Sequence, residues 1–176
     1  MSKAFTSEET ADEPALVAPR APLPPGVDNF VTARGLALLR AEQRALVAER
    51  GRIEQLADDA RPRALVAWTQ RLGELEQRLA SAVLVDVAAQ PTGEVRFGAK
   101  VALCGQDGRE RSYQIVGVDE AEPEQGRIAF VSPLARALLG LKVGDSAIVR
   151  TPRGEEELEV VAIDHALAVH EALASE

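Results

Sequence analysis

Two adjacent aspartates, Asp58 and Asp59, are the residues of this chain best suited to metal chemistry. Their carboxylate oxygens are hard ligands of the kind that Mg²⁺ prefers. Three positions after Asp58 the chain carries Arg61, however, and a positive charge at that spacing opposes metal capture. Acidic residues also cap helices and complement the helix dipole, and Pro62 is well placed to open a helix. The sequence therefore favours capping over metal binding for both aspartates.

Other side chains that serve catalysis or metal binding in many proteins give weaker signals here. Ser132 stands directly before Pro133 with no histidine nearby in sequence, so we interpret it as a helix cap rather than a nucleophile. His165 and His170 are five positions apart, off the spacing that puts two side chains on one helical face. Cys104 is the single cysteine and cannot form an intramolecular disulfide or a multi-cysteine zinc site. The sequence predicts no catalytic centre and no cofactor of the chain's own.

Basic residues are concentrated around the two aspartates, at Arg44, Arg50, Arg52, Arg61 and Arg63. They could contact a negatively charged surface of a partner. Equally, they could form the solvated face of a helix pair, balanced by the acidic residues Glu42, Glu49 and Glu54. The sequence leaves both interpretations open.

Composition narrows the class of protein. The chain has 176 residues, of which 46% are apolar, 27% are charged and only 3% are aromatic. Twenty basic against 28 acidic residues give a formal net charge of -8, which makes free nucleic acid an unsuitable primary ligand. No apolar run approaches the length that spans a bilayer, and no signal peptide is evident. We therefore expect a cytoplasmic protein without membrane insertion.

Three segments differ in their residue patterns, followed by a tail at 166–176. Residues 1–29 contain five prolines and no apolar period, so we expect a disordered arm. Residues 30–86 predict two antiparallel helices packed as a coiled coil, with Thr32 as the first N-cap and a break before Pro62. The predicted seam is Leu36, Leu39, Gln43, Leu46, Arg50, Ile53, Ala57 and Ala60 in the first helix, and Leu65, Trp68, Leu72, Leu75, Leu79 and Ala82 in the second.

The third segment, residues 87–165, alternates short apolar runs with turn residues. Strands are predicted near 94–103, 110–118, 127–131, 146–151 and 155–163, with turns at 105–108 and 152–154. One helix interrupts them, with Ser132 as its N-cap, Pro133 in its first turn and Gly140 near its end. We predict an α+β fold in which the helical hairpin precedes a mostly antiparallel sheet domain with one helix.

The most specific motifs of the chain are SPLARALLG at 132–140, VGD at 143–145 and TPRG at 151–154, which resemble the C-terminal signature of the Gre transcript-cleavage factors. Further matches are TARG at 32–35, FGAKV at 97–101 and YQIVGVDE at 113–120. The resemblance covers about residues 31 to 165.

The resemblance implies that the C-terminal domain is FKBP-like and docks on RNA polymerase at the rim of the secondary channel, while the hairpin enters the channel. By resemblance, the docking residues are Ser132, Pro133 and Arg136, and the channel contacts near the tip are Arg52, Arg61 and Arg63. Cleavage-competent members carry an Asp-x-x-Glu pair at the tip, which helps to hold a second Mg²⁺ in the polymerase active centre. In this chain Asp58 and Asp59 would be the candidates for that joint Mg²⁺ site.

Two departures from the family bear on function. Alignment of both ends leaves the hairpin about one heptad short per helix, which withdraws the tip by about 10 Å. The Asp-x-x-Glu pair is also absent, because Arg61 stands where the second carboxylate would be. We therefore expect a bacterial-type regulatory factor, not itself an enzyme, that occupies the channel without strong cleavage activity, similar to Rnk-type or non-cleaving Gre-like members. The alternatives are a true cleavage factor that uses the tip aspartates, and an FKBP-like chaperone module.

Overall fold

A computed structural model of the chain describes residues 20–151 and 154–165, apart from the side chain of Thr151. The helices are α1 (Ala33–Ile53), α2 (Arg61–Ala80) and the short α3 (Pro133–Leu138), with two 3-10 helices at Val118–Glu120 and Pro123–Gln125. The strands are β1 (Asn29–Val31), β2 (Ala82–Leu84), β3 (Lys100–Gly105), β4 (Glu110–Val116), β5 (Arg127–Ala129), β6 (Ser146–Thr151) and β7 (Gly154–Asp164). In the part of the chain so described, no helix is long and apolar enough to cross a membrane.

Helix α1 begins at the N-cap that the sequence predicts. The hydroxyl oxygen of Thr32 accepts a hydrogen bond from the backbone N–H of Gly35 at 2.9 Å. This contact satisfies one of the backbone donors that a helix leaves unpaired in its first turn. With 21 residues, α1 is about 31 Å long.

Helices α1 and α2 pack along most of the predicted apolar seam. The prediction is wrong for its last part, because α1 ends at Ile53 and Arg50, Ala57 and Ala60 are exposed. The buried cluster between them contains Val31, Leu39, Leu46, Ile53, Trp68 and Leu75, with Leu36, Leu65, Leu72 and Leu79 partly buried against it. The indole N–H of Trp68 donates to the backbone oxygen of Leu46 at 2.8 Å, so the largest seam side chain has its polar atom satisfied. The packing role that the sequence predicts for Trp68 is confirmed.

The break between the helices differs from the predicted capping arrangement. The N-cap of α2 is Ala60, which makes no side-chain capping bond, and the first turn contains no acidic residue. Asp58 and Asp59 therefore precede the cap position and do not occupy it. The prediction that these aspartates cap α2 is wrong, because Asp58 instead pairs with Arg61 inside the same turn, at 3.0 Å.

The C-terminal segment forms a five-stranded sheet in the order β5-β4-β3-β7-β6. Three of its pairings are antiparallel and one, between β4 and β5, is parallel. The predicted first strand at 94–103 is shorter in the structure, since β3 begins at Lys100. Gly98 has a positive φ of 85°, which interrupts extended backbone just before that strand. Pro152 and Arg153 of the predicted second turn lie outside the described residues.

Helix α3 has the N-cap predicted from the sequence. The hydroxyl oxygen of Ser132 accepts from the backbone N–H of Ala135 at 3.2 Å, and Pro133 lies in the first turn. Ala135 and Leu138 are fully buried in the core of the sheet domain. The exposed face of α3 is consequently held at a fixed angle to the sheet.

Residues 20–29 differ from the predicted disordered arm, of which residues 1–19 lie outside the described residues. Asn29 is buried in β1, which pairs in parallel with β2, and its side-chain amide donates to the backbone oxygen of Arg78 at 2.8 Å. Arg20 forms ion pairs with Glu42 and Asp119. Composition alone misses these contacts because they join residues far apart in sequence.

Candidate functional site

The turn between α1 and α2 forms the tip of the hairpin and carries exposed charges. The side chain of Asp58 is 96% exposed, and its carboxylate lies 3.0 Å from the guanidinium of Arg61. Arg61 also donates to the backbone oxygen of Leu56 at 2.8 Å, so it bridges the turn and neutralises one of the two aspartates. The tip therefore presents two carboxylates. That of Asp58 is paired with Arg61, and that of Asp59 belongs to an exposed residue.

The basic residues near the tip differ in their contacts and in their exposure. Arg50 pairs with Glu54 at 3.1 Å, and its guanidinium lies 5.5 Å from the ring centre of Trp68. Arg52 and Arg63 are exposed, and no ion pair links either of them to a described residue. The two interpretations left open by the sequence thus apply to different residues, because Arg50 takes part in helix pairing whereas Arg52 and Arg63 remain accessible to a partner.

The surface of α3 brings together the three residues that the resemblance assigns to docking. Pro133 and Arg136 are exposed, whereas Ser132 is half-buried because it caps the helix. Exposed apolar side chains follow close behind in sequence, with Leu139 38% exposed and Val143 59% exposed. A short helix held by its cap, with one cation and exposed apolar groups beside it, is suited to contact with the surface of another protein.

A third polar cluster, at the junction between the hairpin and the sheet domain, involves residues to which the sequence analysis gave no role. Glu120 is buried and accepts a hydrogen bond of 2.5 Å from the hydroxyl of Thr32. Arg34 approaches the other carboxylate oxygen of Glu120 at 3.3 Å. A Cβ at Gly35 would lie 2.8 Å from Glu120 Oε2, so a larger residue there would have to displace this carboxylate. The two motifs at 32–35 and 113–120, which both carry the family resemblance, are therefore in contact with each other.

The junction also contains an aromatic contact. The ring of Phe30 in β1 lies 6.0 Å from that of Phe97 and 5.6 Å from that of Phe130, measured between ring centres. Phe97 and Phe130 are themselves packed edge to face, with ring centres 5.6 Å apart. These rings fill the core and attach β1 to the sheet domain. They are therefore packed into the core and do not form the walls of an open pocket.

Metal-binding geometry is limited within residues 20–151 and 154–165. No group of three or more histidine, cysteine, aspartate or glutamate side chains in these ranges lies close enough together to hold a metal ion. Cys104 is half-buried. His170 of the histidine pair lies outside the described residues.

Comparison with known proteins identifies the family. The family described as "Transcription elongation factor, GreA/GreB, C-term" matches residues 90–165. Transcription elongation factor GreB of Neisseria meningitidis serogroup B is 35% identical over 153 residues, covering 78% of this chain and 94% of that protein. Transcription elongation factor GreA of Alkalilimnicola ehrlichii is 41% identical over 150 residues, covering 76% of this chain and 95% of that protein. The chain belongs to the GreA/GreB family of transcription elongation factors.

Among solved structures, the chain is similar to GreA factor homolog 1 (Gfh1) of Thermus thermophilus. The sequence identity is 27%, the match covers 78% of this chain and 99% of that one, and the TM-score is 0.38. The assignment to the family rests on the sequence relatives.

Proposed function

We propose that this protein is a regulatory factor that binds RNA polymerase through its C-terminal domain and inserts the two-helix hairpin into the secondary channel. On this proposal it modulates elongation or initiation by occupying the channel, acts in the cytoplasm, and does not strongly stimulate transcript cleavage. The two helices act as a coiled-coil probe and the sheet domain as an FKBP-like base. The observation that carries the proposal is the Asp58–Arg61 ion pair at the tip, at 3.0 Å.

The chemistry of the tip explains why cleavage is not expected. A Mg²⁺ ion held jointly with the polymerase would need carboxylate oxygens free to approach it. Arg61 places a positive charge beside Asp58 and is itself anchored to the backbone of the turn. The exposed ion pair contributes at most about 1 kcal/mol to stability, but it repels a cation at the one place where the metal would have to bind. Asp58 and Asp59 therefore fit a shared Mg²⁺ site poorly.

The length of the hairpin supports the same conclusion. The alignment with the Neisseria GreB runs over 153 positions but uses 78% of this chain, which is about 137 residues. About 16 aligned positions therefore have no residue here. We propose that these positions are the one heptad that each helix lacks, and a heptad shortens a helix by about 10 Å.

Docking is proposed to use Ser132, Pro133 and Arg136. Pro133 and Arg136 are exposed on α3, and the Ser132 cap holds that helix in place. Inside the channel, Arg52, Arg61 and Arg63 are proposed to contact the wall, because Arg52 and Arg63 are exposed near the tip. The tip aspartates remain near them without binding metal.

RNA length in stalled, backtracked polymerase complexes tests this proposal. We expect the protein to bind the complexes and to compete with a cleavage-competent Gre factor, while the RNA shortens no faster than in polymerase alone. Arg136→Ala should weaken binding, whereas Arg109→Ala, which removes an exposed cation from a turn of the same domain, should not. Rapid shortening that is lost on combining Asp58→Asn with Asp59→Asn would instead establish a true cleavage factor.

A further inference from the structure

The segment before β1 crosses the junction between the hairpin and the sheet domain. Its residue Arg20 donates to Glu42 of α1 at 2.6 and 2.7 Å and to Asp119 of the first 3-10 helix at 2.5 Å. The next residue, Ala21, accepts a hydrogen bond through its backbone oxygen from Arg78 of α2. We infer that Arg20 is a positioning residue that fixes the direction of the hairpin relative to the C-terminal domain.

The position of Glu42 along α1 explains how Arg20 can set the direction of this helix. The contacts of Thr32 and Arg34 with Glu120, and that of Arg78 with Asp119, lie near the base of the hairpin, where a contact limits its swing less than one further out. Glu42 is ten residues beyond Thr32, about 15 Å further along the helix axis. A tie at that distance from the base sets the direction in which α1 points. Among the described residues, this tie is provided by Arg20.

The cluster around Arg20 contains equal numbers of positive and negative charges, which explains why these charged groups are stable at a largely buried junction. Asp119 lies between two guanidinium groups, since Arg78 Nε is 3.3 Å from its second carboxylate oxygen. The side chains of Arg78 and Asp119 are 8% and 9% exposed, and that of Arg20 is 18% exposed. Two arginines thus face two carboxylates, Asp119 and Glu42. The side chain of Glu42 is 42% exposed and therefore reached by solvent, whereas the Asp119 side of the cluster is buried, so salt screens the pairs with Asp119 less than it screens surface pairs.

Arg20 stays charged at any working pH. Burial would lower the pKa of Arg20, but its hydrogen bonds to Glu42 and Asp119 outweigh burial and raise the pKa above the usual arginine value. The planar guanidinium can donate to two carboxylates in different directions at the same time. Arg20 therefore joins α1 and the sheet domain through one side chain.

This role is separate from the features that carry the family resemblance. Arg20 precedes the stretch of about residues 31 to 165 that resembles the Gre factors. The consequence for transcription rests on the proposed function, because a hairpin that points in one direction enters a channel more readily than one that swings. The positioning itself concerns the free protein alone.

The experiment measures a distance across the junction in the full chain. Spin labels are placed at the tip by Leu56→Cys and on the edge strand by Ile148→Cys, two side chains that are 40% and 68% exposed. The native thiol is removed by Cys104→Ser. Double electron–electron resonance then gives the tip-to-domain distance distribution in the absence of polymerase. The test variant is Arg20→Gln, and the matched control is Arg40→Gln, which removes an equal charge from an exposed position of α1.

We expect a single narrow distribution for the parent chain and for Arg40→Gln, and loss of that single distance for Arg20→Gln with unchanged helix content. Glu42→Gln should broaden the distribution in the same way, and this variant avoids changing the buried side of the cluster. Identical distributions for all the variants would overturn the inference. Failure of every variant and of the parent to bind polymerase would contradict the proposed function, while the distance result would still decide the role of Arg20.

Discussion

Individual residues at the junction combine functions that a sequence pattern shows only in part. Thr32 is an example, because its hydroxyl oxygen caps α1 and its hydroxyl proton is donated to the buried carboxylate of Glu120. The cap could be predicted from the sequence, since capping depends on residues within one turn. The bond to Glu120 could not, because it joins positions 88 residues apart.

Replacement of Thr32 should therefore cost more than loss of an ordinary cap. We expect Thr32→Ala to lower the free energy of unfolding by about 2–3 kcal/mol, because the first turn loses a cap and a buried carboxylate loses a donor. Urea denaturation followed by the fluorescence of the single tryptophan, Trp68, measures this change. Thr69→Ala is the matched control on the exposed face of α2 and should stay within about 0.5 kcal/mol of the parent. Equal losses in the two variants would contradict the double role of Thr32.

Among the secondary structure elements, the helices and most strands agree with the sequence because their signals are local. The apolar spacing places the seam of α1 and α2, and the serine–proline pair places the start of α3. Strand β1 and its pairing with β2 were missed, since three residues carry too little pattern to predict a strand. The parallel pairing of β4 with β5 likewise depends on tertiary contacts that no local pattern shows.

Close approach between elements predicts opposite effects for two glycine substitutions. Gly117 has an ordinary φ of -64°, but a Cβ there would lie 2.8 Å from the backbone oxygen of Phe30 in β1. We expect Gly117→Ala to lower the free energy of unfolding by about 1–3 kcal/mol, because the sheet domain and β1 must separate. Gly73→Ala in α2 meets no atom within 4 Å and should raise stability by about 0.5–1 kcal/mol. Thermal unfolding of both variants tests this, and a stabilised Gly117→Ala would show that the junction is looser than described.

The length of α1 and α2 predicts how cleavage activity could be introduced. Arg61→Glu alone restores the Asp-x-x-Glu spacing from Asp58, but we expect no RNA cleavage because, on the proposed hairpin length, the tip ends about 10 Å short. Insertion of one heptad in each helix together with Arg61→Glu should produce cleavage of backtracked RNA. Insertion of the heptads alone is the control and should leave cleavage at its background level. Cleavage by the single Arg61→Glu variant would show that charge, and not reach, limits the natural protein.

The whole molecule consists of a hairpin held at a defined angle on a sheet domain. The sequence predicts both parts and their family, whereas the contacts that join them became evident only in the structure. These contacts are the aromatic cluster around Phe30, the buried Glu120 and the bridge made by Arg20. On the proposed function, insertion depends on this junction as much as on the tip, because the sheet domain would set the direction of the hairpin.

Photo-cross-linking from the tip tests whether the hairpin enters RNA polymerase. A photoreactive amino acid replaces Leu56, an exposed residue of the turn, and a second version carries it at Ile148 on the edge strand. Both are added to assembled RNA polymerase elongation complexes and irradiated. We expect the Leu56 probe to cross-link to polymerase segments that line the active centre and the Ile148 probe not to do so. Binding of the protein with cross-links from Leu56 only to the outer surface of the polymerase, or to none of it, would contradict insertion of the hairpin.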